Sequence, residues 1–221
     1  MKARLNGWSR PFALLGMCIA LNVCSEVLSA NHEDEEALPE ITAQIGDTWD
    51  EAIQNSTFKL GPLPTAAGTI INQSHSFMYR DPRHRMEIRN VGYTGVSVNY
   101  KTRRIQDFDI GPYRESAEAN ETWRRLQEII DKMERAEWID DEGRNKRNPV
   151  SLSAVELRTK YLNLPGGAGG VQRFWYDEYG HEAWVSLVKT VTSRSPGEEP
   201  RFNVVLQIQV ATHPKNLPAA R

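Results

Sequence analysis

Cysteine is missing from nearly the whole chain. Of 221 residues only Cys18 and Cys24 carry a thiol, and both lie within the first thirty. From residue 31 onward there is no disulfide, no thiol nucleophile and no cysteine–zinc site, so stability has to come from an ordinary hydrophobic core. Long apolar runs are missing too. The run from Phe12 to Val23 is broken by Gly16 and Asn22 and falls short of the roughly twenty residues that a membrane-spanning helix needs. No serine stands in Gly-x-Ser-x-Gly, and no glycine-rich loop ends in Gly-Lys-Ser/Thr, which removes the hydrolase elbow and the phosphate loop. The histidines, His32, His75, His84, His181 and His213, include no His-x-x-x-His pair. His181-Glu182 has no second histidine with which to complete a zinc-protease helix. Charge of one sign is not in large excess, with 27 basic against 29 acidic residues, so nothing points to nucleic acid. The expectation is a protein with no cofactor, no metal and no catalytic constellation.

What is present begins with an export signal. Lys2, Arg4 and Arg10 form a basic head, Phe12 to Val23 a short apolar core, and the stretch after Cys24 ends in the small residues Ser29 and Ala30. That order predicts a cleavable signal peptide over residues 1–30 and a periplasmic or secreted mature protein with no membrane span. A lipoprotein anchored through Cys24 is the alternative, although Asn22 and Val23 depart from the small residues that precede a lipidated cysteine. Residues 31–40 open with Asn31-His32-Glu33-Asp34-Glu35-Glu36, an acidic leader expected to be solvated and disordered.

The remainder reads as α+β. Thr48 and Glu51 have capping-box spacing, and Trp49, Ala52 and Ile53 would share one face of the short helix that follows. Gly61, Pro62 and Pro64 close it. Strands are expected over residues 76–79, 86–91, 95–100 and 104–110 as an antiparallel meander, with Val96, Val98 and Tyr100 on one face. Trp123, Leu126, Ile130 and Met133 recur at helical spacing over residues 116–138, opposite Arg124, Arg125, Glu128, Asp131, Lys132 and Arg135; this is an amphipathic helix for one face of a sheet. A charged loop follows to Pro149, then a second capping box at Ser153 and Glu156 with a Leu152–Leu157 staple. Strand patterns return at residues 171–177, 183–192 and 202–210. In the last, Phe202, Val204, Leu206, Ile208 and Val210 oppose Asn203, Gln207 and Gln209, the mark of a sheet with one packed and one wet face. Two arrangements satisfy this order. One is a tandem of helix-plus-three-strand units, residues 41–113 and 114–214, before a tail at 215–221; the other is a single domain with one continuous antiparallel sheet.

The segment Ile45-Gly46-Asp47-Thr48-Trp49-Asp50-Glu51-Ala52-Ile53, with Gly61-Pro62 after the helix, resembles the opening of outer-membrane assembly lipoproteins of the BamE type. It also resembles the tandem β-lactamase-inhibitor proteins, which share that small architecture. The resemblance spans about fifteen residues plus element order, and the long second helix departs from it. It implies a protein-binding module of the bacterial envelope without catalysis.

Several residues could carry such binding. Phe174-Trp175-Tyr176 places aromatics on both faces of one strand, and one of those faces should be partly wet. Tyr179 and His181 flank the following turn, and Gly167 and Gly169 belong to a mobile-loop candidate just before the strand. Exposed aromatics beside loops are hot-spot material for protein contacts, so Trp175, Tyr176, Tyr179, His181, Gly167 and Gly169 are the expected partner-binding residues. The acids Asp107, Asp109, Asp140, Asp141, Glu142, Asp177 and Glu178 are expected to be solvated. The leading functional expectation is an inhibitor or immunity-type protein that blocks an exported enzyme or toxin. An envelope scaffold and an enzyme with an unrecognised carboxylate or histidine site are the alternatives.

Overall fold

A computed structural model describes residues 37–63, 68–147, 153–161, 165–167, 169–190 and 199–211. The expected signal segment, residues 31–36 of the acidic leader, Leu152 of the expected staple and the tail at 215–221 lie outside the described residues. The elements run β1 (Glu40–Ala43), α1 (Trp49–Asn55), β2 (Gly68–Ile71), β3 (His75–Tyr79), β4 (Met86–Val91), β5 (Tyr93–Val98), β6 (Ile105–Gly111), β7 (Ala117–Glu118), α2 (Ala119–Arg135), β8 (Ile139–Asp140), α3 (Glu142–Arg147), α4 (Ala154–Tyr161), β9 (Gly169–Tyr176), β10 (His181–Lys189) and β11 (Arg201–Val210). The protein is α+β. No helix among the described residues is long and apolar enough to cross a membrane.

Local chemistry explains several of these boundaries. The Thr48 side chain accepts the Glu51 N–H at 3.2 Å, and the Glu51 carboxylate accepts the Thr48 N–H at 2.7 Å, a complete capping box that starts α1. Trp49 and Ala52 turn into the core as expected, but Ile53 is exposed, because a helix of two turns buries only the narrow stripe that meets β1. At Gly92 an added Cβ would lie 2.6 Å from the Tyr113 carbonyl oxygen. Only glycine fits there, and at that residue the chain leaves β4 and enters β5 in a different sheet.

That crossing corrects the expected meander. β3 and β4 do not continue into β5 and β6; they join β1 in a three-stranded sheet of order β1-β3-β4, in which β1 runs parallel to β3. The other strands form an eight-stranded antiparallel sheet, β2-β5-β6-β11-β10-β9-β8, with the short β7 also beside β11. Its central contact pairs β6 with β11, so a single sheet runs through both halves of the sequence. Tyr100, expected on the buried face of β5, lies beyond the strand end in the turn to β6 and is exposed. The charged loop after β8 contains α3, whose residues are all at the surface or partly so.

One face of the large sheet is covered. Phe108 and Ile110 of β6, Val204, Leu206 and Ile208 of β11, and Ala183, Val185 and Leu187 of β10 are all buried. Helix α2 lays Leu126, Ile129, Ile130 and Met133 over β11 and β10. Trp123, expected in that stripe, is only partly buried, and Thr122 takes the inward position. From the small sheet, Phe77 packs edge-on to Phe108 with ring centroids 5.1 Å apart, and Tyr79 approaches the same ring at 6.2 Å. Helix α4 adds Leu157 and Tyr161, the latter edge-on to Phe202.

Candidate functional site

Strand alternation places the other face of the large sheet in register. Phe174, Trp184, Gln207, Asp109, Gly95 and Ile70 lie in one row across β9, β10, β11, β6, β5 and β2. Neighbours on a strand point to opposite faces, which decides the fate of the aromatic triplet in β9. Trp175 is 0% exposed and belongs to the core; its expected role at a partner surface is corrected, because α2 covers the face it points to. Phe174 and Tyr176 occupy the open face and are half-buried. Arg144 of α3 stacks on the Phe174 ring at 4.7 Å while binding Asp141 and Glu182, which closes that end of the row.

The remaining expected residues fall in two separate places. Tyr176, Tyr179 and His181 gather at the β9–β10 turn. Gly167 and Gly169 sit at the opposite end of the hairpin, about 20 Å away at the usual rise of a strand. Gly167 has φ +81° and donates its N–H to the Lys189 carbonyl at 2.8 Å. Gly169 pairs with Val188, and a Cβ there would lie 2.4 Å from the Leu187 carbonyl oxygen. Both glycines have backbone reasons to be glycine and do not adjoin the aromatic turn.

The β9–β10 turn is built around a buried carboxylate. Asp177 accepts the N–H groups of Tyr179 at 2.9 Å and His181 at 2.8 Å, and its second oxygen meets His181 Nδ1 at 2.6 Å. Burial opposes the charged form of Asp177, but the bonds from the His181 ring and backbone and from the Tyr179 N–H outweigh it and hold the carboxyl below its ordinary range. Gly180, at φ +90°, completes the turn. The turn abuts the β3–β4 loop, far away in sequence. Arg83 pairs with Glu178 and places its guanidinium 5.2 Å from the centre of the Tyr179 ring. The bond from Arg83 holds the Glu178 carboxyl below its usual range. His84, buried against Trp138, bonds the Ala136 carbonyl oxygen through Nδ1 at 3.0 Å and faces Glu178 with Nε2 at 3.6 Å. The outcome is a fixed corner from which Tyr179, 50% exposed, projects.

A second feature lies on the open face: a groove of about 450 Å³ lined by Tyr93, Asp109, Trp184, Ser186, Val205 and Gln207, with Gly169–Val171 and Val188 at one end. The Tyr93 ring lies across Gly111, where a Cβ would come within 2.3 Å of it. Its hydroxyl donates to Asp109 at 3.3 Å. Burial pushes the Asp109 carboxyl up; the Tyr93 bond partly offsets this, and the Asp107 charge adds to it. Burial also raises the Tyr93 hydroxyl, with the Asp109 charge reinforcing the effect. The sequence marks Asp109 as one acid among several and does not join it to Trp184. Their signal was positional, since Trp184 and Ser186 alternate with the apolar Val185 and Leu187.

Among the described residues no group of three or more His, Cys, Asp or Glu side chains is placed to hold a metal ion. Comparison with protein-family models, with curated proteins and with solved structures finds no match to this chain.

Proposed function

We propose that the protein is exported to the periplasm or beyond and works there without catalysis by gripping another protein. In its sharpest form it is an inhibitor or immunity-type protein that occludes an exported enzyme or toxin. The observation that carries this reading is the corner at the β9–β10 turn. Tyr179 is a large, half-exposed ring whose backbone is bolted by the buried Asp177 and whose side chain is flanked by Arg83. An aromatic anchor held in place before binding loses little conformational entropy when a partner's pocket closes on it. His181, with its ring centroid 6.4 Å away, and the Arg83–Glu178 pair give it a polar rim, as interfaces between proteins require.

The test begins with a photo-crosslinking amino acid at position 179, expressed in the native host, to capture and identify the partner. Affinity for that partner is then measured with purified protein. Truncation of a hot-spot aromatic costs at least ~2 kcal/mol, so Tyr179→Ala should weaken binding about 30-fold or more. Tyr100→Ala, which removes an exposed ring in the β5–β6 turn, should leave it unchanged. Equal affinity of wild type and Tyr179→Ala overturns the corner as the docking surface. Recovery of the intact chain from cytosol with Met1 in place overturns the export that the reading assumes.

A further inference from the structure

We propose that the groove on the open face of the large sheet binds a small organic cation, a protonated amine or guanidinium carried on an apolar or aromatic body. The site is distinct from the corner at Tyr179 and does not depend on that reading. It rests on a contrast in how acids are matched. Asp47 has Arg80 at 2.6 Å, Asp140 has Arg173 at 2.7 Å and Asp141 has Arg144 at 2.5 Å. Asp177 has His181 at 2.6 Å, and Glu182 has Arg144 at 2.9 Å. Each of these buried or half-buried acids therefore has a basic side chain beside it. Asp109 has none among the described residues: what acts on it is burial, the Tyr93 hydroxyl and a second negative charge on Asp107. Asp107 and Asp109 are two apart on β6 and point to the same face.

A half-buried carboxylate beside a second negative charge and without a cation is costly. Here it lies on the floor of a cleft with the volume of a small-molecule site. The walls suit a cationic ligand. Tyr93 and Trp184 offer π faces, which attract ammonium and guanidinium groups. Val171, Val188 and Val205 offer apolar surface for the body that carries the charge. Gln207, directly across from Asp109 in the sheet register, and Ser186 can satisfy further N–H groups. A neutral sugar would use the aromatics and the glutamine but would leave the carboxylates unmatched, so charge complementarity favours the cation. Gly95, opposite Asp109, keeps the floor clear, since a Cβ there would crowd the Asp109 side chain at 3.2 Å.

The experiment is calorimetric titration of the purified protein, with tryptophan fluorescence in parallel, using three probes: phenethylamine, its neutral analogue phenethyl alcohol, and maltose. The expected result is saturable binding of the amine, with the alcohol and the sugar at least tenfold weaker. Asp109→Asn should weaken the amine at least tenfold without lowering the melting temperature. Ser186→Lys, which supplies a cation from the chain itself, should abolish amine binding while the protein stays folded. Tyr179→Ala should leave amine binding intact, which separates this site from the corner. Equal binding of amine and alcohol, preference for maltose, unchanged amine affinity in Asp109→Asn, or no binding of the amine at millimolar concentration would each overturn the proposal.

Discussion

On one side of the large sheet Phe108, Ile110, Leu206, Ile208, Val185 and Leu187 lie under helix α2 and the small sheet; on the other, Asp109, Gln207, Trp184 and Ser186 form a groove. The strands are the same and the residues alternate one by one. The first side holds the fold together through burial of apolar area, worth roughly 25 cal/mol per Å². The second contributes little of that and instead collects a half-buried acid, two aromatic rings and the space left by glycines. Each strand thus supplies the core with one set of alternate residues and the groove with the other.

The most severe way to break this comparison is at β9. Trp175→Ala empties the largest fully buried side chain of the core and should cost about 3–5 kcal/mol, read from the urea midpoint. If it cost no more than an open-face substitution, the two sides would not differ as described. Next comes Asp177→Asn, which leaves the turn's donors without a charged acceptor and should cost about 1–3 kcal/mol near neutral pH. Because the folded protein holds the Asp177 carboxyl below its unfolded value, its stabilisation is present above the unfolded pKa of about 3.9. It is lost as pH falls below that value and through the folded one. Urea midpoints measured from pH 7 to pH 3 should therefore fall less steeply in Asp177→Asn than in the wild type.

Gly111→Ala sharpens the comparison on the open side. Its Cβ would meet the Tyr93 ring at 2.3 Å, so the ring must swing off β6 and release Asp109. We expect about 1–2 kcal/mol of destabilisation from such crowding, again by urea unfolding. The smallest effect belongs to Trp184→Ala. This residue is half-buried on the groove wall, and its loss should cost about 1 kcal/mol or less against several for Trp175, measured under the same conditions.

Features governed by near neighbours were legible beforehand. The Thr48–Glu51 capping box depends on four consecutive residues, and it is complete in the structure. Ser153 likewise accepts the Glu156 N–H at 3.2 Å at the start of α4. The turn between β9 and β10 and the alternation of β11 followed from glycine placement and a period of two. Less of the candidate site was legible. The triplet Phe174-Trp175-Tyr176 declared two faces, but which was wet depended on where α2 came to rest. Tyr179 and His181 stood in the expected turn, yet their neighbours Arg83 and His84 come from a loop almost a hundred residues earlier. Gly167 and Gly169 are close to Trp175 in the chain but lie far from the turn in space, because an extended strand separates what sequence proximity suggests is together.

Short-range sterics and hydrogen bonding therefore determined the caps, the turns and the inward and outward residues of most strands, since each depends on dihedral preferences within a few residues. Which strands became neighbours was decided only by the folded whole. Gly92 diverts the chain between sheets, β6 meets β11 across ninety residues, and α2 covers one side and leaves the other open. Those choices minimise exposed apolar area over the entire molecule, a sum that no local window of sequence contains.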